Sequence, residues 1–183
     1  MSLLVGHKAP AFKNKAVVGG DALKMTQDNA FKIISSDDYK GKWLVLFFYP
    51  LDFTFVCPTE IEEFGKNYEE FKKFNCEVLA CSTDSHHSHL AWRTHMPSLR
   101  NLPFPMLADF TRETARNYEI LKEETGYALR GLYIIDPEGI LQYSVIHPED
   151  VGRNTKEILR VVKALQTGEK TPCNWEAGQK TLD

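Results

Sequence analysis

The sequence predicts an α/β fold in which helices flank a mixed β-sheet. An uninterrupted apolar run at residues 43–49 has the composition of a strand that is buried on both faces. Apolar runs of strand length follow at 77–82 and 105–108, and helical patterns separate them, which is the order of a β-α-β unit. Two later strand-like segments flank Pro137-Glu138-Gly139, which resembles a hairpin turn and adds antiparallel pairing.

The central strand is ended by Pro50, which cannot continue the hydrogen-bonded ladder. A helix is then predicted from Pro58 to about Asn75, because apolar residues recur there at helical spacing, at Ile61, Phe64, Tyr68, Phe71 and Phe74. Residues 85–95 and 111–118 are predicted as the next two helices. Each of them lies beside one of the short buried strands.

The last third of the chain contains the hairpin, one helix and a tail. Residues 129–136 and 140–145 are the hairpin strands, and 154–166 is an amphipathic helix. The segment 167–183 is polar, with two glycines and one proline, and is predicted as an irregular surface tail. The length fits a single globular domain over residues 1–166 followed by this tail.

Charge and hydropathy exclude several classes of function. The chain has 22 basic and 25 acidic residues, and the basic ones are scattered, so we expect no nucleic-acid partner. The N-terminal apolar run is too short for a signal-peptide core, and no apolar span approaches the ~18 residues that a membrane helix needs. These features predict a soluble, cytoplasmic protein with no membrane partner.

The four cysteines are too sparse for the disulfide scaffold of a small secreted domain. No Cys-x-x-Cys pair occurs, which argues against a zinc knuckle and against a dithiol motif. Any disulfide of this chain is therefore expected to be transient or catalytic. Cys76 and Cys81, at the two ends of an apolar strand, are predicted to be structural.

Three histidines, His86, His87 and His89, open the predicted helix at 85–95. They could suggest a metal site, but no carboxylate or cysteine stands at a matching spacing. The sequence favours a solvated helix face for them. No bound cofactor and no metal are expected.

Cys57 has the local features of an activated thiol. Pro58 suits the first position of a helix, which places Cys57 at the N-cap. There the unpaired backbone N–H groups and the helix dipole favour a thiolate, the nucleophilic form. Glu60 complements the same helix end but competes with the thiolate, so a nearby cation is needed. Local spacing does not identify that cation.

The segment Phe48-Tyr49-Pro50-Leu51-Asp52-Phe53-Thr54-Phe55-Val56-Cys57-Pro58-Thr59-Glu60 resembles the peroxiredoxin signature around the peroxidatic cysteine. The segments 82–92, 129–136 and 152–154 resemble further family motifs in the family's order. The chain is thus similar over nearly its whole length to the typical two-cysteine peroxiredoxins, also named alkyl hydroperoxide reductase C or thioredoxin peroxidase. This resemblance implies a thioredoxin-like fold, with which the predicted elements are compatible.

The resemblance also implies roles for individual side chains. Pro50 would shield the thiolate from water, and Thr54 would hydrogen-bond both the sulfur and the peroxide. Arg130 would be the missing cation. Arg153 would join Glu60 and the first arginine in one network. Donors fixed along the S–O–O line stabilise the charge that grows on the departing oxygen.

For the reaction, the resemblance implies reduction of hydrogen peroxide and organic hydroperoxides through a Cys57 sulfenic acid. Cys173 of the partner subunit would resolve that acid to a disulfide. Such a cycle requires a homodimer, and the resemblance leaves open a decamer of five dimers. Thioredoxin or a flavoprotein disulfide reductase would be the electron donor.

The chain departs from the family pattern in two places. The family's resolving motif is Val-Cys-Pro-Ala-x-Trp, whereas this chain has Thr171-Pro172-Cys173-Asn174-Trp175. The loop 97–103 lacks the Gly-Gly-Leu-Gly motif of members that excess peroxide inactivates, so we expect a robust enzyme.

Two other functions stay open at this level. Rings of dimers could act as a chaperone or a redox-signalling scaffold. A thioredoxin-type disulfide reductase is disfavoured, because Cys57-Pro58-Thr59-Glu60 has no second cysteine three positions on.

Overall fold

A seven-stranded mixed sheet forms the centre of the computed structural model, which describes residues 3–182. The strands are β1 Lys13–Val17, β2 Phe31–Ser35, β3 Trp43–Phe48, β4 Cys76–Ser82, β5 Met106–Ala108, β8 Arg130–Ile135 and β9 Leu141–His147. Their order is β2-β1-β5-β4-β3-β8-β9. Strands β3, β4 and β5 are parallel, and the other pairings are antiparallel. The short strands β6 Leu121–Lys122 and β7 Tyr127–Ala128 form a separate pair.

Five α-helices accompany the sheet in this part of the chain. They are α1 Val56–Lys66, α2 Tyr68–Lys73, α3 His86–His95, α4 Glu113–Asn117 and α5 Thr155–Thr167. Short 3₁₀ turns cover Ala22–Lys24, Ser36–Tyr39 and Pro97–Leu99. Across residues 3–182, no helix has the length and apolar character that crossing a bilayer requires.

The predicted α/β class with a mixed sheet is confirmed, and β3 is an interior strand of the sheet, paired with β4 and β8. The antiparallel β1–β2 pair was not predicted. The alternation in β1, Lys-Asn-Lys-Ala-Val, is weak, and the strand is defined by its pairing with β2 and with β5. Such a strand depends on long-range partners rather than on a local pattern.

The single helix predicted over 58–75 is wrong, because the structure has two helices that meet at Asn67. The side-chain amide of Asn67 donates to the carbonyl of Glu63 at 2.8 Å, and the Asn67 backbone N–H donates to the same carbonyl at 3.2 Å. Asparagine ends helices in this way because its short amide competes with the backbone. The apolar spacing continues across the break, which is why periodicity alone missed it.

Strand β3 is buried on both faces, as its composition predicts. Val45 and Phe47 point into the core cluster under α1, whereas Leu44 and Leu46 point into the cluster on the opposite face. The ring of Phe47 stacks on Phe64 of α1, with centroids 4.4 Å apart. This packing holds α1 against β3.

The tail after α5 is irregular and packs on its own chain. Gly168 ends α5 in the left-handed conformation, at φ 67°. Further on, the N–H of Leu182 donates to the carbonyl of Lys170 at 2.7 Å. Trp175 is buried, and Arg160 of α5 donates to its carbonyl at 2.8 Å. The segment around Cys173 is therefore held against α5 by specific contacts.

Candidate active site

Cys57 lies in the first turn of α1, but not at the predicted N-cap. Phe55 is the N-cap, so Cys57 is the second helical residue and Pro58 the third. The difference arises because the helix begins before the proline, at Val56. Near that end the backbone N–H groups lack intrahelical acceptors, so the electrostatic reason for a thiolate still holds. The Cys57 side chain is fully buried, at 0% exposure, within the core cluster under α1.

Arg130, the first residue of β8, places a cationic side chain beside Cys57. Its Nη1 donates to Cys57 Sγ at 3.5 Å and to Glu60 Oε2 at 2.6 Å. Its Nε donates to the carbonyl of Glu149 at 2.6 Å. Antiparallel pairing of β8 with β3 places this guanidinium beside the start of α1. The carbonyl of Glu149 is a contact that sequence reasoning missed, since a backbone acceptor leaves no signal in composition.

Glu60 is held by two arginines and does not complement the helix end as predicted, because it is the fifth residue of α1. Its Oε1 accepts from Arg153 Nε at 2.7 Å and from the Arg153 backbone N–H at 2.8 Å. The Nη1 of Arg153 donates to the carbonyl of Gly131 at 2.7 Å. The Arg153 guanidinium also lies 5.3 Å above the ring of Phe47.

The charges of Arg130, Arg153 and Glu60, which are buried together, do not sum to zero. Arg130 and Arg153 supply two positive charges, and Glu60 supplies one negative charge. Buried charges are costly unless they are paired, so the group favours one further anion. The Cys57 sulfur, within reach of Arg130, can carry that charge as a thiolate.

The Glu60 carboxylate is ionised through its arginine partners. Burial acts to raise its pKa, but the charge and hydrogen bonds of Arg153, with the charge of Arg130, hold it below the ordinary value of 4.5. A pKa that is depressed on folding adds stability above the unfolded value, and this stability is lost as the pH falls through the folded value.

Glu60→Gln is therefore expected to lower the free energy of unfolding at neutral pH by roughly 3 kcal/mol, because both buried arginines lose their counter-charge. Below about pH 4.5 the difference from the parent protein should shrink, because Glu60 then becomes protonated in the unfolded chain while the folded protein, whose Glu60 pKa is lower, still holds it ionised. Urea unfolding at pH 7 and pH 4 measures both effects. Glu62→Gln is the control, since Glu62 pairs with Lys66 at the surface. A loss that is equal at both pH values would contradict the expectation.

Pro50 and Thr54 lie in the loop between β3 and α1. Pro50 is buried. The Thr54 hydroxyl donates to the carbonyl of Leu51 at 3.0 Å, and within residues 3–182 we find no hydrogen bond from it to Cys57. Thr54 thus closes a turn of the loop that leads into α1.

Cys173 lies apart from this network, on an exposed turn of the tail. The N–H of Trp175 donates to the carbonyl of Pro172 at 3.1 Å, which closes the turn. Asn174 has φ 58°, which proline cannot adopt. The turn therefore accepts asparagine and excludes proline directly after the cysteine. Cys57 and Cys173 are both free thiols.

Cys76 and Cys81 are fully buried in β4, where they pack as small apolar side chains. Burial raises the pKa of both thiols, and the charge of Glu77 or of Asp109 adds to the effect. A raised pKa keeps a thiol protonated, so neither cysteine is activated as a nucleophile.

The solvated face predicted for the three histidines is wrong for His89. His87 is exposed and His86 half-buried, but His89 is fully buried and contacts Asp52. Apolar spacing did not predict the burial of His89, because histidine counts as a polar residue in such a pattern. Among the described residues, no group of three or more possible ligands is placed to hold a metal ion.

A buried thiol at the start of a helix, facing a guanidinium on a neighbouring strand, defines a cysteine-dependent redox enzyme. The profile of the AhpC/TSA family matches residues 5–144. A putative peroxiredoxin encoded in the rubredoxin operon of Clostridium pasteurianum is 49% identical, and the match covers 100% of both chains. The mitochondrial thioredoxin-dependent peroxide reductase of Homo sapiens is 47% identical over 97% of this chain and 69% of that protein.

Solved structures of peroxiredoxins also match this chain. The reduced 2-Cys peroxiredoxin of Plasmodium vivax matches with a TM-score of 0.90 at 35% identity, over 99% of this chain and 93% of that one. AhpC of Mycobacterium tuberculosis matches with a TM-score of 0.88 at 41% identity, over 96% and 100% of the two chains. The chain belongs to the AhpC/TSA family of peroxiredoxins, and it is a thiol-dependent peroxidase with a thioredoxin-like fold.

Proposed function

We propose that Cys57 is the thiol that attacks the hydroperoxide, and that Arg130 both stabilises its thiolate and binds the peroxide. The observation that carries this assignment is the 3.5 Å contact between Arg130 Nη1 and Cys57 Sγ, in a buried group with one unbalanced positive charge. Glu60 and Arg153 support the site by fixing the orientation of Arg130.

In the first step the thiolate attacks one oxygen of the peroxide. The S–O bond forms as the O–O bond breaks, and the departing alkoxide or hydroxide takes up a proton to leave as alcohol or water. Cys57 becomes a sulfenic acid. In this proposal the Thr54 hydroxyl turns from Leu51 towards the peroxide, and Pro50 excludes water from the sulfur.

Cys173 of the partner subunit, in the tail 167–183, resolves the sulfenic acid. Its thiolate attacks the Cys57 sulfur, an S–S bond forms, and the hydroxyl leaves as water. Cys57 is fully buried whereas Cys173 is exposed, and a disulfide needs Cα atoms within about 7 Å. The first turn of α1 must therefore unwind to bring the two sulfurs together.

The partner subunit is a second copy of this chain, and the pairing extends to a homodimer or a decamer. Supporting this, Phe55 at the start of α1 is 93% exposed, and an apolar side chain so placed favours coverage by another subunit. Thioredoxin or a flavoprotein disulfide reductase then reduces the disulfide. One relative is named for its dependence on thioredoxin. Sparse, reduced cysteines fit a cytoplasmic location.

Cys173→Ser is the test of this cycle. One equivalent of hydrogen peroxide should convert the parent protein to a disulfide-linked dimer in a non-reducing gel, and the variant should stay monomeric. With dithiothreitol as reductant the variant should still consume peroxide, because a small thiol can reach the sulfenic acid. With thioredoxin and its reductase it should fail. A cross-linked dimer in the variant would overturn the assignment of Cys173.

A further inference from the structure

The loop between β3 and α1 is anchored by a buried, hydrogen-bonded pair of side chains that does not belong to the Cys57 site. Asp52, in the loop, has 2% of its side chain exposed, and His89 of α3 has none. The His89 Nδ1 lies 2.8 Å from Asp52 Oδ2. The His89 Nε2 lies 3.0 Å from the carbonyl of Leu107 in β5.

Both ring nitrogens of His89 therefore face oxygens. The carbonyl of Leu107 accepts from Nε2, and Nδ1 shares a hydrogen bond with the carboxyl group of Asp52. Both side chains are removed from solvent and held by hydrogen bonds at each end.

The remaining lone pairs of Asp52 are also occupied. The hydroxyls of Tyr49 and Ser88 donate to its two oxygens, each at 2.8 Å. The backbone N–H of Asp52 donates to Asp84 Oδ2 at 2.7 Å. Burial raises the pKa of Tyr49 well above its ordinary value, so its hydroxyl stays a donor. Asp52 thus ties the loop to Tyr49 just after β3, to Ser88 and His89 of α3 and, through His89, to β5.

The residue after this anchor needs such support. Phe53 has φ 56°, a conformation that residues other than glycine rarely adopt. Its side chain is 58% exposed and packs on Trp92 of α3, with ring centroids 6.0 Å apart. An exposed aromatic in a strained conformation gives the loop little stability of its own. The loop then turns through Thr54 into the helix that carries Cys57.

We propose that Asp52 and His89 are positioning residues for the peroxidase reaction, because their buried pair holds the 51–55 loop in the closed arrangement that keeps Cys57 against Arg130. The inference rests on the proposed role of Cys57. It predicts that loosening the pair slows the reaction with peroxide, which needs aligned donors, while exposing the sulfur to reagents that need only access.

The test measures two rates on the full chain in a Cys173→Ser background. One is the rate of the single-turnover reaction with hydrogen peroxide, and the other is the rate of Cys57 alkylation by iodoacetamide, with the site identified by mass spectrometry. For Asp52→Asn and His89→Gln the peroxide rate should fall roughly tenfold or more, because small misplacements of reacting groups are costly. The alkylation rate should rise in the same variants.

Two further histidine variants are the matched controls. In His89→Asn the amide nitrogen occupies the position of Nδ1 and can still donate to Asp52, so this variant should retain most of the peroxide rate. His87→Gln replaces the exposed histidine two positions earlier on α3 and should leave both rates unchanged. Cys57→Ser, measured in parallel, separates a failure of this inference from a failure of the proposed function.

The inference is overturned if the peroxide rates of Asp52→Asn and His89→Gln stay within twofold of the parent, or if both rates fall together. Ser88→Ala removes one hydrogen bond from Asp52 and leaves the Asp52–His89 hydrogen bond in place. Ser88→Ala should lower the peroxide rate and raise the alkylation rate, each by a smaller factor than Asp52→Asn and His89→Gln. If Asp52→Asn and His89→Gln do not fold, the Ser88→Ala variant decides the question, and unchanged rates in Ser88→Ala overturn the inference.

Discussion

Replacing Cys57 by serine is expected to abolish peroxide consumption, by roughly a thousandfold or more, with every reductant. The sulfur is the atom that becomes oxidised, and a serine hydroxyl neither ionises near neutral pH nor forms a sulfenic acid. The Cys57 side chain is fully buried beside Arg130, and its replacement is nearly isosteric, so the fold should survive. Hydrogen peroxide consumption with dithiothreitol, and separately with thioredoxin and its reductase, measures the effect.

Cys76→Ala is the matched control for this variant. Cys76 is equally buried, but it lies in β4, and burial raises the pKa of its thiol. The control should lose some stability through the small cavity and keep its activity. Peroxidase activity that persists in Cys57→Ser would remove the basis of the proposed mechanism.

Arg130→Met should lower the second-order rate constant for hydrogen peroxide by about a hundredfold, which is the usual cost of removing one fixed donor from a charged transition state. Methionine keeps much of the apolar stem but removes the hydrogen bonds to Cys57 Sγ, Glu60 and the Glu149 carbonyl. Rapid-mixing measurements of the reaction with the reduced enzyme isolate this step from turnover by the reductant.

Arg130→Lys separates charge from geometry. Lysine keeps the positive charge but cannot bridge Cys57 and Glu60 with one planar group, so an intermediate rate is expected. Arg116→Met is the surface control, because Arg116 pairs with the exposed Glu123 away from Cys57. An Arg130→Met rate equal to that of the parent would show that another group stabilises the thiolate.

Local patterns were sufficient for the parts of the fold that are continuous in sequence. The apolar run 43–49 predicts β3, because a strand with both faces buried leaves no polar alternation. Pro58 after Cys57 locates the cysteine at the start of a helix to within two residues. The side-chain amide of Asn67, which splits the predicted helix, is the kind of local competitor that apolar spacing does not register.

The chain's own residues therefore determined the α/β class, the central strand and the thiol at the start of α1, because each depends on neighbours close in sequence. Only the tertiary structure decides which side chains surround that thiol. Glu60 and Arg130 stand 70 positions apart, and Asp52 and His89 stand 37 apart. Contacts over such separations are made by strand pairing and helix packing, and no periodicity in the sequence records them. The resemblance suggested the arginines, but the buried Asp52–His89 anchor became visible only when the sheet brought the loop and α3 together.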